Sequence, residues 1–373
     1  MEVKEKLLYL YSIVGKTRKY FPLSKEVSSA LKGSKKNSKE HKMKKTMNKH
    51  FILKYIPLLA LPMLLGLTSC HSGDQEFPDY GSTSVYFANQ GYVRTIELGE
   101  DLEVDLTNDN NHEFSLNAAM GGGYGNKRDI KVSFAVDPTL LDNKSFDDGT
   151  PMTLLPSDYY QLEGNQMVIP SGKIQGGVKV KLTDAFFADP LATTRHYVLP
   201  VRITHVEGAD SVLESKNYVL CAVKFVNPWQ ATYLRRGVDV VTNADGTQTA
   251  EVRHAQYVEK DELMNLTTLG LNAAAMNVSL KDASGKATTC KLQLLFNGNE
   301  CKISALTKGF SAEGTGSFVE KGEKNSMGGK DRNALYLKYT VSSATLGKTV
   351  TTTDTLVVRD RGIAPEYFTP KNK

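Results

Sequence analysis

From Ser84 to the end of the chain the hydrophobic pattern repeats every second residue, and no amphipathic stretch exceeds two helical turns. A period of two makes strands with one apolar face, which must be buried by laying sheet on sheet or by curling one sheet shut. Six short β-branched and aromatic runs come first, Ser84–Ala88, Ile130–Val136, Gln166–Pro170, Gly177–Leu182, Tyr197–Thr204 and Tyr218–Val226, separated by Gly, Asn, Asp and Pro. That spacing specifies a β-sandwich over residues 83–226. In the last run Val219, Cys221, Val223 and Phe225 share one face and Lys224 stands on the other, so Cys221 reads as a small core residue. Asn227-Pro228 marks a joint, after which nine further runs lie between Thr232 and Arg359. Turn signals at Asn243–Gly246, Ala283–Gly285 and Asn297-Gly298 join neighbours directly, which makes an up-and-down meander. Closing such a meander removes its exposed edges, so residues 227–373 are expected to form a β-barrel.

Residues 1–69 stand outside this pattern. Lys42, Lys44, Lys45 and Lys49 precede the uncharged run Tyr55–Leu67, which has the length of a signal-peptide core. It falls short of the roughly 20 helical residues that a bilayer requires. The run ends Leu67-Thr68-Ser69-Cys70, which resembles a bacterial lipobox. The resemblance implies that Cys70 is lipidated and becomes the mature N-terminus, anchored by several acyl chains at about 0.8 kcal/mol per buried CH₂. Residues 1–46 are rich in Lys and Ser and precede Met47, where a conventional signal begins; they read as a spurious extension or as a long basic leader. Residues 70–82 follow as a flexible tether carrying Asp74, Glu76 and Asp79 among Gly, Ser and Pro. The acidic stretch is either a solvated linker or, by resemblance, the surface-export signal of Bacteroidetes lipoproteins.

The formal charge of +5 belongs to the leader. Of 46 Lys and Arg, 15 lie in residues 1–69, against 4 of 41 Asp and Glu, so the remainder carries 31 basic and 37 acidic residues, a net −6. A mildly acidic body has no electrostatic basis for holding nucleic acid.

A succession of residues carries a family resemblance: Gly121–Gly123, Asn126, Arg128 to Ile130, then Val132, Phe134, Val136 and Asp137, then Leu155, Pro156, Tyr159 and Tyr160, Ile169 to Lys173, and Tyr197, Leu199, Pro200, Arg202 and Ile203. It resembles the N-terminal domain of unknown function in outer-membrane lipoproteins of Bacteroidetes glycan-utilisation loci. That resemblance implies an immunoglobulin-like sandwich followed by a variable module, and outer-membrane, cell-surface location. Only about 145 residues follow, too few for a TIM-barrel hydrolase of ~250 residues. The opening Trp229–Tyr233 and the closing Val358–Arg361 are similar to the ends of lipocalin-type (calycin-like) barrels, in which a first-strand Trp packs against a late Arg. Trp229 is therefore expected against Arg359 or Arg361, or else as a plain plug in the core with Asp360 satisfying Arg359.

Motifs for chemistry are missing. Ser342 stands where a phosphate-binding loop ending in Gly347-Lys348-Thr349 needs its first Gly. Gly121, Gly122, Gly123 and Gly125 read as a sheet-edge turn, Asn108–Asn111 as a solvated turn with enough oxygens for Ca²⁺, and His112, His196, His205 and His254 stand singly. Cys290 and Cys301 would sit four residues out of register across a hairpin at Asn297-Gly298, pairing positions that sum to 595. They are too far apart for a disulfide. No cofactor, metal site or catalytic residue is expected, and the chain reads as a non-enzyme.

Function must then lie in surfaces. Saccharide sites offer aromatic rings to the apolar faces of pyranoses, with polar groups at the rim. Alternation leaves Tyr336 beside Lys338 and Thr340 on a polar strand face and joins Tyr233 to Arg235 and Asp239 on another, so Tyr336, Tyr233 and Arg235 are the candidates. The expected function is a non-catalytic surface lipoprotein that binds polysaccharide or oligosaccharide for uptake, beside an outer-membrane transporter. A structural or adhesive surface protein is the alternative, and a hydrolytic barrel a third.

Overall fold

Short β-branched runs divided by turns give an all-β chain in this computed structural model, which describes residues 81–282 and 284–372. Cys70, the leader and all but the last two tether residues lie outside them. The main strands of the first sheet are β1 (Ser84–Tyr86), β2 (Gly91–Glu97), β3 (Glu113–Gly121), β4 (Ile130–Val136), β5 (Gln166–Ile169), β6 (Gln175–Leu182), β7 (Tyr197–Glu207) and β8 (Tyr218–Val226). They follow the order β1-β3-β6-β5-β4-β7-β8-β2. Val85 of β1 and Ile96 of β2 lie at opposite ends of that path yet in one buried cluster, so the sheet doubles over into a sandwich. Phe186 and Phe187, on the single helical turn Asp184–Ala188, fill it together with Phe225.

β8 departs from the expected alternation. Val219, Cys221, Val223 and Phe225 face the sandwich core, but Leu220 and Ala222 on the other face are buried too, under Phe146, Met152 and Phe368. A strand covered on both sides reads as a continuous apolar run, which Tyr218–Val226 nearly is.

After the joint come β9 (Ala231–Asn243), β10 (Gln248–Arg253), β11 (Glu262–Gly270), β12 (Ala273–Lys281), β13 (Ala287–Asn297), β14 (Glu300–Ala305), β15 (Ser311–Glu323), β16 (Arg332–Ser343) and β17 (Lys348–Asp360). Consecutive strands pair antiparallel except β10 with β11, and β9 pairs with β17 from Thr232↔Asp360 to Asn243↔Lys348. β10 and β11 share the other flank of β9, one along each half, so the result is a closed eight-stranded barrel. Its lumen is filled by Tyr233, Met276, Leu292, Leu294, Leu335, Leu337 and Leu356.

The β13–β14 turn corrects the expected register. Phe296 pairs with Cys301 and Asn297 with Glu300, so positions sum to 597 and the loop is Gly298-Asn299. Gly298 takes φ +59°, the positive angle that a type II′ turn requires at its first central residue. Cys221, Cys290 and Cys301 are free and buried. Burial pushes the Cys221 and Cys301 thiols up to about 12, so neither is a nucleophile near neutral pH.

Past the barrel the chain turns back. Strand β18 (Glu366–Tyr367) pairs with β2 and so extends the first sheet, while β19 (Lys371–Asn372) forms a separate two-stranded sheet with Lys144–Ser145, although residues 227–373 are expected in the barrel.

Candidate functional site

The joint is built by two polar side chains. Asn227, fully buried, accepts from the backbone N–H groups of Trp229 (3.2 Å) and Gln230 (3.1 Å) and donates from Nδ2 to the carbonyls of Gly270 (3.0 Å) and Ala273 (2.8 Å). Arg361 follows the end of the last barrel strand, which lies beside the start of the first. Its Nη1 donates to the carbonyls of Pro228 (3.2 Å) and Glu100 (3.4 Å), and Nη2 to those of Asn227 (3.0 Å) and Leu98 (3.1 Å). One buried guanidinium, on the residue after the last barrel strand, thus gathers carbonyls from the sandwich and from the joint.

The sandwich side of the joint is the segment after β2. Asp109 pairs with Arg94 and accepts from the Glu97 N–H (2.8 Å), while the Asn110 side chain exchanges two hydrogen bonds with Gly99 (2.9 and 2.8 Å). The oxygen-rich Asn108–Asn111 stretch therefore spends two of its side chains closing a loop. Gly99 adopts φ +98°, and a Cβ there would stand 2.8 Å from that of Pro228, so only glycine lets the loop meet the joint. This closure sets Glu100 at the end of the barrel.

Between loop and barrel end lies a cleft of about 460 Å³. Glu100 comes from the loop, Trp229 from the joint, Asn272 from the β11–β12 turn, Asn299 from the β13–β14 turn, Phe318 and Glu320 from β15, and Asn333 from β16. Trp229 stacks on Phe296 with ring centroids 3.8 Å apart and planes 4° from parallel, which fixes the indole where it closes the lumen. The Asn333 side chain accepts from the Lys321 N–H (2.8 Å) and reaches Glu100 Oε2 (3.4 Å). The edges of two largely buried rings, Trp229 and Phe318, thus converge with three amides and two carboxylates, a set that offers a sugar a narrow apolar floor and groups that bond its hydroxyls in both senses. A second opening of about 490 Å³, at the turn containing Gly122, Gly123 and Gly125, offers Lys127 and Arg128 but no aromatic ring.

The side chains expected from sequence fall elsewhere. Tyr233, Arg235 and Asp239 do share one face of β9, but that face is the lumen. Tyr233 is fully buried and donates its hydroxyl to the Trp229 carbonyl (2.7 Å), so it cannot meet a ligand at the surface. Arg235 is buried as well, donating to Asp354 (2.9 Å) and to the Tyr339 hydroxyl (3.1 Å). Arg253 donates to both Asp239 (2.8 and 2.9 Å) and Asp354 (2.7 Å), and Thr352 to Asp239 (2.6 Å). Burial alone would raise the Asp239 carboxyl, but the Arg253 and Thr352 bonds outweigh it and hold it below the ordinary range. This network bounds a cavity of only about 50 Å³. Tyr336 stands on the outer wall, half-buried, and donates to Glu323 (2.9 Å); burial and that carboxylate push its phenol up to about 12.

The expected Trp229–arginine contact is absent among the described residues. Arg361 is taken up by carbonyls and Arg359 by Asp360 (3.3 Å), while the indole face goes to Phe296. The barrel closes all the same, through the β9–β17 ladder. Asn272, Asn299, Phe318, Glu320, Asn333 and Glu100 escape sequence reasoning because they come from five separate segments, and an Asn beside a turn signals only the turn.

Residues 228–362 match the model of DUF5627, a domain of unknown function, and residues 80–210 match the model of an N-terminal domain family. A Bacteroides ovatus protein of unknown function, known from a crystal structure, is 41% identical with TM-score 0.75, covering 78% of this chain and 99% of that one. The chain belongs to that protein's family. A second Bacteroides ovatus protein of unknown function is 15% identical over 77% of this chain and 99% of its own, with TM-score 0.39. An auxiliary nutrient binding protein from Bacteroides thetaiotaomicron is 14% identical over 72% of this chain and 91% of its own, with TM-score 0.37. Both lie too far from the family to carry an argument. No curated protein matches significantly. Neither the matched family models nor the 41%-identical relative indicates an enzyme family.

Proposed function

We propose that the protein is a non-catalytic lipoprotein of the outer membrane, held through Cys70 and exposed at the cell surface, which binds saccharide in the cleft at its joint and presents it to a transporter. The observation that carries the binding is the convergence of Trp229, Phe318, Asn272, Asn299 and Asn333 around a space of about 460 Å³, within the range of pockets that hold small ligands. The anchoring rests on the basic flank, apolar run and Leu67–Cys70 order of the sequence.

Native affinity electrophoresis against a polysaccharide panel tests the binding. At least one polymer should retard the protein, and Asn272→Ala/Asn299→Ala should lose most of that retardation with an unchanged melting temperature, since both side chains are exposed. No retardation by any polymer would turn the assignment toward a structural or adhesive protein, and retardation that survives the double substitution would move the binding site away from the joint cleft. Mass spectrometry of membrane-extracted protein tests the anchor; an unmodified peptide running through Ser69-Cys70 refutes it.

A further inference from the structure

We infer that the joint cleft selects uncharged saccharides and rejects uronic-acid and sulfated ones. This rests on the saccharide-binding assignment above and names its ligand class. Glu100 and Glu320 both line the cleft, and none of its lining residues is a Lys or Arg. Asp101 and Glu103 line the adjoining groove, which shares Glu100 and Asn333 with the cleft.

Three arginines border that groove, and each is already engaged. Arg361 serves four backbone carbonyls. Arg332 donates to the carbonyls of Met327 (3.2 Å) and Arg359 (3.1 Å), and Arg359 pairs with Asp360. Recognition of a carboxylate or sulfate calls for a guanidinium or ammonium able to turn toward it. Here an anionic sugar meets two carboxylates, with Arg361 and Arg332 spent on backbone carbonyls and Arg359 on Asp360. A neutral sugar instead finds three amides, each able to donate and to accept.

The test uses purified full-length protein and a panel of neutral polysaccharides, each paired with its own C6-carboxylated form, so that only the charge at one carbon differs. For every backbone that binds, carboxylation should weaken binding at least tenfold at low ionic strength, because a bound carboxylate then lies beside two like charges with little salt to screen them. The ratio should shrink in 0.5 M salt, where exposed charges are screened within about 4 Å, and Glu100→Gln/Glu320→Gln should shrink it as well. A carboxylated form that binds as tightly as its parent overturns the inference while leaving saccharide binding intact. A ratio unmoved by salt and by the double substitution also overturns it, since exclusion would then be steric. If no pair binds at all, the saccharide assignment itself fails and the selectivity with it.

Discussion

Asp354 shows how much one carboxylate can hold. Its side chain is fully buried and takes hydrogen bonds from Arg235, Arg253 and the Tyr339 hydroxyl (3.0 Å). Asp354→Ala leaves two guanidinium groups in the lumen without their shared partner, and loss of one member of a buried ion network costs about 3–5 kcal/mol. Urea unfolding should show that loss in full, with Asp354→Asn falling between. Asp239 adds a pH dependence. Its folded pKa is depressed, so its contribution is present above the unfolded value of about 3.9 and disappears as pH falls through the lower folded one. The melting temperature should therefore fall as pH drops below about 4, and less steeply in Asp239→Asn. Alternation alone reveals that Tyr233, Arg235 and Asp239 share a face. What it does not reveal is whether a polar face looks onto water or into a lumen, because that depends on Arg253, Tyr339 and Asp354, which sequence distance hides.

Strands were readable wherever local composition and tertiary burial agree. Ile130–Val136 and Tyr218–Val226 coincide with β4 and β8 to the residue. β2 and β3 escape because Arg94, Thr95 and Glu97 dilute one, and Asn117, Ala118, Ala119 and Gly121 give the other little β-propensity; pairing with β8 and β6 imposes what the residues only permit. The tail is the hardest element to foresee, since Glu366–Tyr367 is two residues long and acquires meaning only beside β2. Phe368 is 6% exposed and meets Phe146 edge-on at 5.0 Å, above Leu220 and Ala222. Phe368→Ala should cost about 3–5 kcal/mol, as for other buried aromatics. Dye binding should reveal the uncovered apolar face of β8, and the barrel ladder should keep its hydrogen-exchange protection.

At the scale of the molecule, period two and the Asn227-Pro228 break foretell two sheets and a closed barrel, because edges must be hidden and turns are short. The cleft is not foretold, since its walls are turns that only the completed barrel assembles. Arg361 ties the two sheets together through carbonyls on Leu98, Glu100, Asn227 and Pro228. Arg361→Met removes every one of those donors and leaves carbonyls of the joint unpaired, at about 1–3 kcal/mol each where water cannot reach them. Calorimetry should then resolve two unfolding transitions in the variant, against one in the parent protein; a single transition in both would place the coupling elsewhere. The returning tail has a consequence for how such a chain is made. β2 is synthesised well before its partner Glu366–Tyr367 and the cover supplied by Phe368, which follow the whole barrel in the chain. Until then Phe146 and Met152 cover the outer face of the first sheet without Phe368, so the amino-terminal half cannot finish folding ahead of the rest. A protein made this way completes its first sheet only when that segment arrives, and a chain cut short before it betrays itself by the apolar seam it leaves open.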